Sequence, residues 1–249
     1  MTGNVAVVTG AAGGIGVAVA TTLARQGWRL VLTDRAGQPL DVAIRACEAA
    51  TEVLAVAADV TREAEVQALV RQGLEHFGRL DGFVSNAGVA GEMQPIEACS
   101  AEVFQHTMAV NVLGTFLCLK HAVPALRAAG GGSFVAVGST SSIRGRANLA
   151  GYVASKHAVL GLVRTAALEQ VGTPVRINAV LPGPTQTAMI DAIKAMAANR
   201  HPGGAVARAV AAPEGVPDDV ASSVAFLLSD ASRHMNGAAL VIDGGSTLA

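Results

Sequence analysis

Short apolar runs alternate with longer segments of helical periodicity along this chain of 249 residues, and this alternation limits the possible folds more than any other feature. The short runs, rich in Val, Ile and Leu, predict strands, and the segments between them space their apolar residues as amphipathic helices do. The predicted strands are continuously apolar, which is typical of parallel strands covered on both faces. The sequence therefore predicts an α/β fold: a single-domain, Rossmann-type, doubly wound parallel sheet with helices on both faces, spanning 1–249.

The predicted strands share a β-branched, apolar composition and are 4–9, 28–33, 52–57, 80–85, 133–138, 175–181 and 238–242. The predicted helices are 14–26, 41–50, 61–77, 101–129 (one long helix or two consecutive ones), 150–171 and 217–228. Thr61 is a candidate N-cap and Gly78 a candidate C-cap of the third helix. Residues 185–215 show no periodicity and follow a strand, so a substrate lid is favoured over a surface insertion.

Composition and charge exclude several classes of function. A formal net charge of −1 gives no basic surface for nucleic acid or an anionic membrane. No unbroken apolar run reaches transmembrane length, and Met1 leads directly into an apolar strand without a signal-like segment. Three cysteines without ligand-like spacing predict reduced thiols, so we expect a cytoplasmic protein. The histidines lack paired spacing with Asp, Glu or Cys, so no catalytic metal is expected.

A glycine-rich stretch, TGAAGGIG at 9–16, joins the first predicted strand to the first predicted helix. Gly10, Gly14 and Gly16 would allow a tight turn, admit a pyrophosphate close to the backbone and bring the helix near the strand. The helix N-terminus would add free N–H groups and a partial positive charge. A glycine-rich turn alone means little, but this position between strand and helix favours a dinucleotide site. No Gly-Lys-Ser/Thr follows, which excludes a P-loop.

Asp34 ends the second predicted strand, about where a dinucleotide fold places the acid that binds the adenosine ribose. A carboxylate there accepts hydrogen bonds from both ribose hydroxyls and repels a 2′-phosphate. These features favour NAD over NADP. The alternatives are that Asp34 merely opens a turn, or that Arg35 neutralises it and holds a phosphate.

The chain contains one tyrosine, Tyr152, and Lys156 follows it by one helical turn, so both lie on the same helix face. A lysine ammonium would stabilise the phenolate and lower the tyrosine pKa from its usual value near 10. Such a tyrosine can give a proton to a carbonyl or take one from an alcohol. Ser139, at the end of the fifth predicted strand, could bind the substrate oxygen. Isolated Tyr-x-x-x-Lys pairs are mostly surface pairs, and Ser139 could be an ordinary loop serine.

These residues resemble the short-chain dehydrogenase/reductase family over nearly the whole chain. The motifs that carry the resemblance, in the family's order and spacing, are Thr9-Gly10-x-x-x-Gly14-Ile15-Gly16, Asp59-Val60, Asn86-Ala87-Gly88, Asn111-Val112-x-Gly114, Ser139, Tyr152-x-x-x-Lys156, Pro182-Gly183 with Thr187, and Asp243-Gly244-Gly245. Each motif is modest alone, but the set is highly specific. The resemblance implies a nicotinamide-dependent oxidoreductase acting on a secondary alcohol or ketone, and it accounts for the glycine spacing.

The resemblance also implies residue roles. The cofactor-binding set it implies, together with Asp34, is Gly10, Gly14, Ile15, Gly16, Asp59, Val60, Asn86, Ala87, Gly88, Tyr152, Lys156, Pro182, Gly183, Thr185 and Thr187. The catalytic set is Asn111, Ser139, Tyr152 and Lys156, in which Asn111 would hold a water in a proton relay with Lys156. Two positions depart from the family pattern: Ser85 replaces a common second Asn, and Thr185 replaces a branched apolar residue, which leaves the carboxamide contact open.

The substrate is not defined by the sequence. Methionines at 189, 196 and 235 and residues 93–98 could line its pocket, although methionine more often fills gaps in a core. The Ala-, Met-, Pro- and Gly-rich lid favours a small apolar or neutral substrate. Arg144 and Arg146 could bind an anionic group, but loop arginines are more often only solvated. His157 is expected to be structural, because it points about 100° away from Lys156 on the helix.

Two other functions stay open. An NADPH-dependent 3-oxoacyl carrier-protein reductase would fit the same motifs, although Asp34 and the near-neutral charge count against it. A non-catalytic dinucleotide sensor would keep the glycine loop but would not need the catalytic set. Alanine-rich helices at 109–129 and 150–168, together with the family's habit, lead us to expect a homotetramer.

Overall fold

One parallel sheet organises the chain in the computed structural model, which describes residues 3–200 and 214–248. Its seven strands run in the order β3-β2-β1-β4-β5-β6-β7. They are β1 Val5–Thr9, β2 Arg29–Asp34, β3 Val53–Ala57, β4 Gly82–Ser85, β5 Gly132–Val137, β6 Val175–Pro182 and β7 Ala239–Ile242. Each lies within two residues of a predicted strand, and the doubly wound parallel sheet is confirmed.

The order of the strands reverses at β1, which pairs with both β2 and β4. At such a reversal, the loops at the carboxyl ends of the two central strands diverge to opposite faces and leave a crevice for a ligand. The predicted glycine-rich loop follows β1, so the fold places it at this crevice.

Helices cover both faces of the sheet. They are α1 Gly14–Arg25, α2 Asp41–Glu48, α3 Glu63–Phe77, α4 Ala101–Met108, α5 Gly114–Ala128, α6 Ala150–Glu169, α7 Ala188–Arg200 and α8 Pro217–Leu228. The apolar sides of α3, α5 and α6 form one core with the sheet, and those of α1, α2 and α8 form the other. Two cores separated by a sheet explain why the strands are apolar on both faces.

The predicted segment 101–129 contains α4, a π-helical turn at Ala109–Leu113, and α5. By length and composition, 101–128 is apolar enough to cross a membrane, but more than half of its most apolar window is buried inside the protein. Leu117, Cys118 and Ala122 of α5 pack into a core with the sheet. The segment therefore has the packing of a core helix.

Two details of the helix predictions are corrected by the structure. Thr61 is not the N-cap of α3: Arg62 holds that position without a side-chain cap, because the Thr61 hydroxyl donates to Asp59 Oδ1 at 2.7 Å. Gly78 does end α3 in the left-handed conformation, as predicted. The segment 185–215 is not irregular throughout, since it contains α7; residues 201–213 of this segment lie outside the described part.

Candidate active site

Two adjoining cavities open at the carboxyl ends of the strands. The larger cleft lies over the β1–α1 loop and the ends of β2 and β3, and the smaller pocket lies over the ends of β5 and β6. Ile15, Asn86, Gly88 and Thr187 line both, so the two spaces are continuous. Of the residues predicted for the site, all except Gly16 and Asn111 line one cavity or the other.

The β1–α1 loop needs glycine at two positions for reasons visible in the structure. Gly10 has a φ of +64°, and a Cβ there would stand 2.8 Å from the Cα of Ala87. Gly16 does not face the cleft; a Cβ on it would stand 2.2 Å from the carbonyl oxygen of Gly10. Gly16 therefore lets α1 approach the turn, while Gly10 and Gly14 line the cleft where a phosphate would lie.

The loop is held to β4 by the side chains of Thr9 and Asn86. Asn86 Nδ2 donates to the carbonyl oxygens of Thr9 and Gly10, each at 3.0 Å. The Thr9 hydroxyl accepts the backbone N–H groups of Asn86 at 3.0 Å and Ala87 at 3.1 Å. These bonds fix the wall of the cleft before any ligand is bound.

Carboxylates and a buried hydroxyl form the far end of the cleft. Asp34 Oδ2 accepts the Ala12 N–H at 3.1 Å and Oδ1 accepts the Arg35 N–H at 2.9 Å, so the carboxylate is fixed beside the loop. Burial acts to raise the pKa of Asp59, but hydrogen bonds from Thr61 and the charges of Arg62 and Arg35 hold it below its usual value.

Thr33 Oγ1 is a buried polar atom without a hydrogen-bond partner among the described residues, and Thr33 lines the same cleft. Buried hydroxyls in native proteins are nearly always bonded, so this one points to a missing ligand atom. Together with the cradle over Gly10 and Gly14, it fits a dinucleotide.

Three polar side chains meet in the smaller pocket. Ser139 follows β5 and caps a short 3₁₀ turn, its Oγ accepting the Ser141 N–H at 3.1 Å. The Ser139 side chain faces Tyr152 and acts to lower the pKa of its phenol. Lys156 Nζ lies 5.7 Å from the centre of the Tyr152 ring and donates to the Val137 carbonyl at 2.9 Å. The structure thus brings together Ser139, Tyr152 and Lys156, which the sequence separates by up to 17 residues (139 to 156).

Burial governs the titration of this group. It lowers the pKa of Lys156 to about 8. Burial also raises the pKa of Tyr152, and this is opposed by the hydrogen bond with Ser139 and by the charge of Arg146. The sequence predicted that Lys156 lowers the pKa of Tyr152. In the ligand-free protein the groups that act to lower this pKa are Ser139 and Arg146 instead.

Asn111 lies in the π-helical turn between α4 and α5 and is buried behind the pocket. Its Nδ2 donates to the Val89 carbonyl and to Ser155 Oγ, each at 2.9 Å, and its Oδ1 accepts the Val89 N–H at 2.8 Å. Both side-chain N–H groups are thus used to hold the loop after β4 against α6. The predicted water relay stays a prediction.

The opposite wall of the pocket comes from the loop after β6. Pro182, Gly183 and Thr185 line the smaller pocket, and Thr187 lies against Gly14, with its methyl group 3.2 Å from where a Cβ on that glycine would stand. The Thr187 hydroxyl donates to the Thr185 carbonyl at 3.1 Å. This loop therefore bridges the pocket and the N-terminus of α1.

Several lining residues were missed or left undecided by sequence reasoning. Leu149, Ile190 and Ile193 line the smaller pocket and Met189 lines both cavities. Among the other methionines, Met235 packs against a core instead, and Met196 lines neither cavity. His157 lines neither cavity, and its Nδ1 lies 2.9 Å from the Val153 carbonyl. Sequence spacing does not reveal which side of α7 faces the pocket or where the loop before α6 runs. These two features decide which of their residues line the pocket.

The two loop arginines differ. Arg144 donates to the backbone carbonyl of Ser246, whereas Arg146 lines the pocket beside Tyr152. Among residues 3–200 and 214–248, no group of three or more His, Cys, Asp or Glu side chains is arranged to hold a metal ion.

Comparisons with known proteins agree with this geometry. A family model described as enoyl-(acyl carrier protein) reductase matches residues 10–247. Levodione reductase of Leifsonia aquatica is 36% identical, with 100% of this chain and 96% of that protein aligned. The cis-4-hydroxycyclohexanecarboxylate dehydrogenase of Sinomonas cyclohexanicum is 39% identical over 98% of this chain and 96% of that protein.

Solved structures show the same architecture. The crystal structure of levodione reductase superimposes with a TM-score of 0.94 over 99% of this chain and 98% of that one. NAD+-bound xylitol dehydrogenase gives a TM-score of 0.93 at 31% identity, over 98% and 99% of the two chains. The chain belongs to the short-chain dehydrogenase/reductase family.

Proposed function

We propose that this protein is an NAD-dependent oxidoreductase that interconverts a secondary alcohol and a ketone. The observation that carries the proposal is the convergence of Ser139, Tyr152 and Lys156 in one pocket that is continuous with a dinucleotide-shaped cleft. The relatives support it: one is named a reductase of levodione, and another a dehydrogenase of a cyclohexane-ring alcohol.

The chain's own residues supply orientation and proton transfer. The Ser139 hydroxyl donates to the reacting oxygen, and the Tyr152 phenol gives it a proton in reduction or removes one in oxidation. Lys156 donates to the Val137 carbonyl and lies beside the Tyr152 ring, while Ser139 and Arg146 act to lower the pKa of the phenol. Asn111 acts as a positioning residue that holds the loop after β4. NAD, when bound, accepts or donates the hydride.

NAD is favoured over NADP by the end of β2. The Asp34 carboxylate is fixed by the Ala12 and Arg35 N–H groups and lines the cleft where the adenosine ribose would lie. Its charge favours two free ribose hydroxyls over a 2′-phosphate. The NAD+ in xylitol dehydrogenase supports the same choice.

The test is a steady-state assay with NAD+ and NADP+ against cyclohexanol, cis-4-hydroxycyclohexanecarboxylate and acyclic secondary alcohols, and with NADH or NADPH against the ketones. Activity with NAD+ that disappears in Tyr152→Phe and Ser139→Ala is expected. Binding of NAD without turnover of any alcohol or ketone would instead indicate a dinucleotide sensor. A preference for NADPH with a 3-oxoacyl carrier-protein thioester would favour the acyl-reductase alternative. The assay includes this substrate because the matching family model is described as enoyl-(acyl carrier protein) reductase.

We also propose a cytoplasmic homotetramer with a substrate lid at about 185–215. Exposed apolar side chains on neighbouring helices support the assembly: Phe116 of α5 is 44% exposed and Leu168 of α6 is 74% exposed. Ile190 and Ile193 of α7 line the pocket, as a lid would require. Light scattering at micromolar concentration tests the tetramer, with Phe116→Glu expected to weaken it; a monomeric wild-type protein would contradict it.

A further inference from the structure

The charge balance of the substrate pocket is uneven. Its lining contains two cationic side chains, Lys156 and Arg146, and no carboxylate among the described residues. Residues 201–213 contain neither Asp nor Glu in sequence, so they add no carboxylate either. An unbalanced positive charge beside an apolar pocket favours a ligand with a negative group.

Of these two cations, Arg146 is the one left for the substrate. Lys156 is buried, donates to the Val137 carbonyl and lies beside Tyr152, where the reaction needs it. Arg146 is in no ion pair within the described part of the chain, and its partners are uncharged hydroxyl groups.

The Arg146 guanidinium is pre-oriented. Its Nε donates to Ser141 Oγ at 3.1 Å and its Nη2 donates to Thr140 Oγ1 at 3.0 Å, and both hydroxyl-bearing residues are buried. These bonds use one edge of the guanidinium and leave the Nη1–Nη2 edge, which can donate two parallel hydrogen bonds to a carboxylate. A guanidinium already fixed by buried partners loses little further freedom on binding.

The surroundings restrict the rest of the ligand. Leu149, Met189, Ile190 and Ile193 give the pocket an apolar wall. Apolar side chains of this kind favour a compact apolar spacer in the ligand. Arg146 and Tyr152 line the same pocket, so a ligand in this pocket can contact both residues.

We propose that Arg146 binds the carboxylate of the substrate, and that the preferred substrates are hydroxy acids or keto acids whose two functional groups are separated by a compact apolar spacer such as a six-membered ring. This rests on the proposed dehydrogenase function and replaces the expectation of a neutral substrate drawn from lid composition. Arg146 determines specificity and takes no proton.

The test compares a charged substrate with an uncharged one of the same shape, namely cis-4-hydroxycyclohexanecarboxylate and cis-4-hydroxycyclohexanecarboxamide. The proteins are wild type, Arg146→Met, Arg146→Lys and the matched control Arg144→Met. Arg144 lies two positions earlier in the same loop, but it donates to the Ser246 carbonyl and does not line the pocket. The measurement is kcat/KM for each substrate, with kcat and KM resolved.

We expect wild type to prefer the carboxylate, and Arg146→Met to lose about ten- to a hundredfold in kcat/KM for it, mainly through KM. Arg146→Lys should retain part of the preference, and Arg144→Met all of it. Because the charge of Arg146 also acts on Tyr152, the turnover of both substrates can fall in Arg146→Met. The criterion is therefore the ratio of kcat/KM for the carboxylate to kcat/KM for the carboxamide. An equal loss for both substrates, or no preference in wild type, overturns the proposal.

A binding measurement separates this proposal from the proposed function. Cyclohexanecarboxylate and cyclohexanecarboxamide cannot react, and their affinities are measured by calorimetry on NAD-saturated wild type and Arg146→Met. Tighter binding of the carboxylate by wild type, lost in Arg146→Met, supports the anion site whether or not an alcohol is oxidised. Failure to oxidise any alcohol would reject only the dehydrogenase function. Equal binding of the two ligands by wild type rejects the anion site, whatever the turnover of neutral alcohols.

Discussion

The Lys156 ammonium lies 5.7 Å from the centre of the Tyr152 ring, and its own hydrogen bond goes to the Val137 carbonyl. The two groups are therefore neighbours inside a buried pocket, where burial disfavours the charged form of each. Burial lowers the pKa of Lys156 to about 8 and raises that of Tyr152. The hydrogen bond with Ser139 and the charge of Arg146 oppose the second shift. The pKa of Tyr152 thus depends on several residues around it.

Replacing Tyr152 by Phe removes the proposed proton donor while keeping the ring. Turnover should fall by about 10²–10⁴-fold, the usual contribution of a positioned acid or base. The dissociation constant of NAD should change by less than about threefold, because the ring still fills its place. Stopped-flow hydride transfer and NADH titration measure the two effects. His157→Gln serves as a control on the same helix, and near-normal turnover by Tyr152→Phe would reject the mechanism.

Burial of Lys156 makes the stability of the ligand-free protein depend on pH. In the folded state Lys156 loses its proton near pH 8, whereas in the unfolded chain it keeps it to about pH 10.4. Between these values the unfolded state binds more protons, so the lysine's contribution becomes more favourable as pH rises, by roughly 3 kcal/mol in all. Below pH 8 both states are protonated and the cost of burying the charge is constant.

Urea unfolding of wild type and Lys156→Met at pH 7, 8, 9 and 10 measures this effect. The free energy of unfolding of wild type minus that of the variant should increase across this series, most steeply above pH 8. Titrations of other groups occur in both proteins and cancel in the difference. A difference that stays constant from pH 7 to pH 10 would show that Lys156 titrates alike in the folded and unfolded states.

The sequence predicted the sheet because local signals and packing agree there. A continuously apolar run such as 5–8 is typical of a strand inside a covered sheet, and it lies in β1. Local and tertiary signals disagree at Thr61, which resembles an N-cap but bonds Asp59 instead. The helix α7 was missed because its Ala, Met and Ile residues are spread around the helix, so it has helix propensity without an amphipathic period.

The candidate site shows the same division. Tyr152 and Lys156 were paired from sequence because helical spacing is local. Arg144 and Arg146 could not be told apart, because their contacts depend on how the loop after Ser139 folds over the pocket. Thr33 gave no signal at all, since a threonine in an apolar strand is ordinary; only its buried, unpartnered hydroxyl points to a ligand.

Replacing Asp34 by Ala should change the choice of cofactor. The variant loses the carboxylate expected to accept hydrogen bonds from the ribose, so kcat/KM with NAD+ should fall about 10- to 100-fold. With the repulsion of a 2′-phosphate removed and Arg35 retained, kcat/KM with NADP+ should rise. Asp41→Ala, at the exposed start of α2, is the control. An unchanged ratio of NAD+ to NADP+ activity in Asp34→Ala would show that Asp34 merely shapes the turn.

Two helical glycines offer a matched test of the loop geometry. A Cβ on Gly16 would stand 2.2 Å from the carbonyl oxygen of Gly10 and 2.8 Å from the Cα of Ala11, which are backbone atoms that cannot rotate away. Gly16→Ala should therefore destabilise the protein by about 3 kcal/mol or more and abolish NAD binding, because α1 is pushed off the turn.

A Cβ on Gly161 in α6 meets no atom within 4 Å. Alanine favours the helix, but Gly161 lies two turns from Leu168 on the face proposed for assembly, so Gly161→Ala should change stability by no more than about 1 kcal/mol in either direction and should leave NAD binding intact. Urea unfolding and NADH titration measure both variants, and equal effects at the two glycines would contradict the close approach of α1 to Gly10.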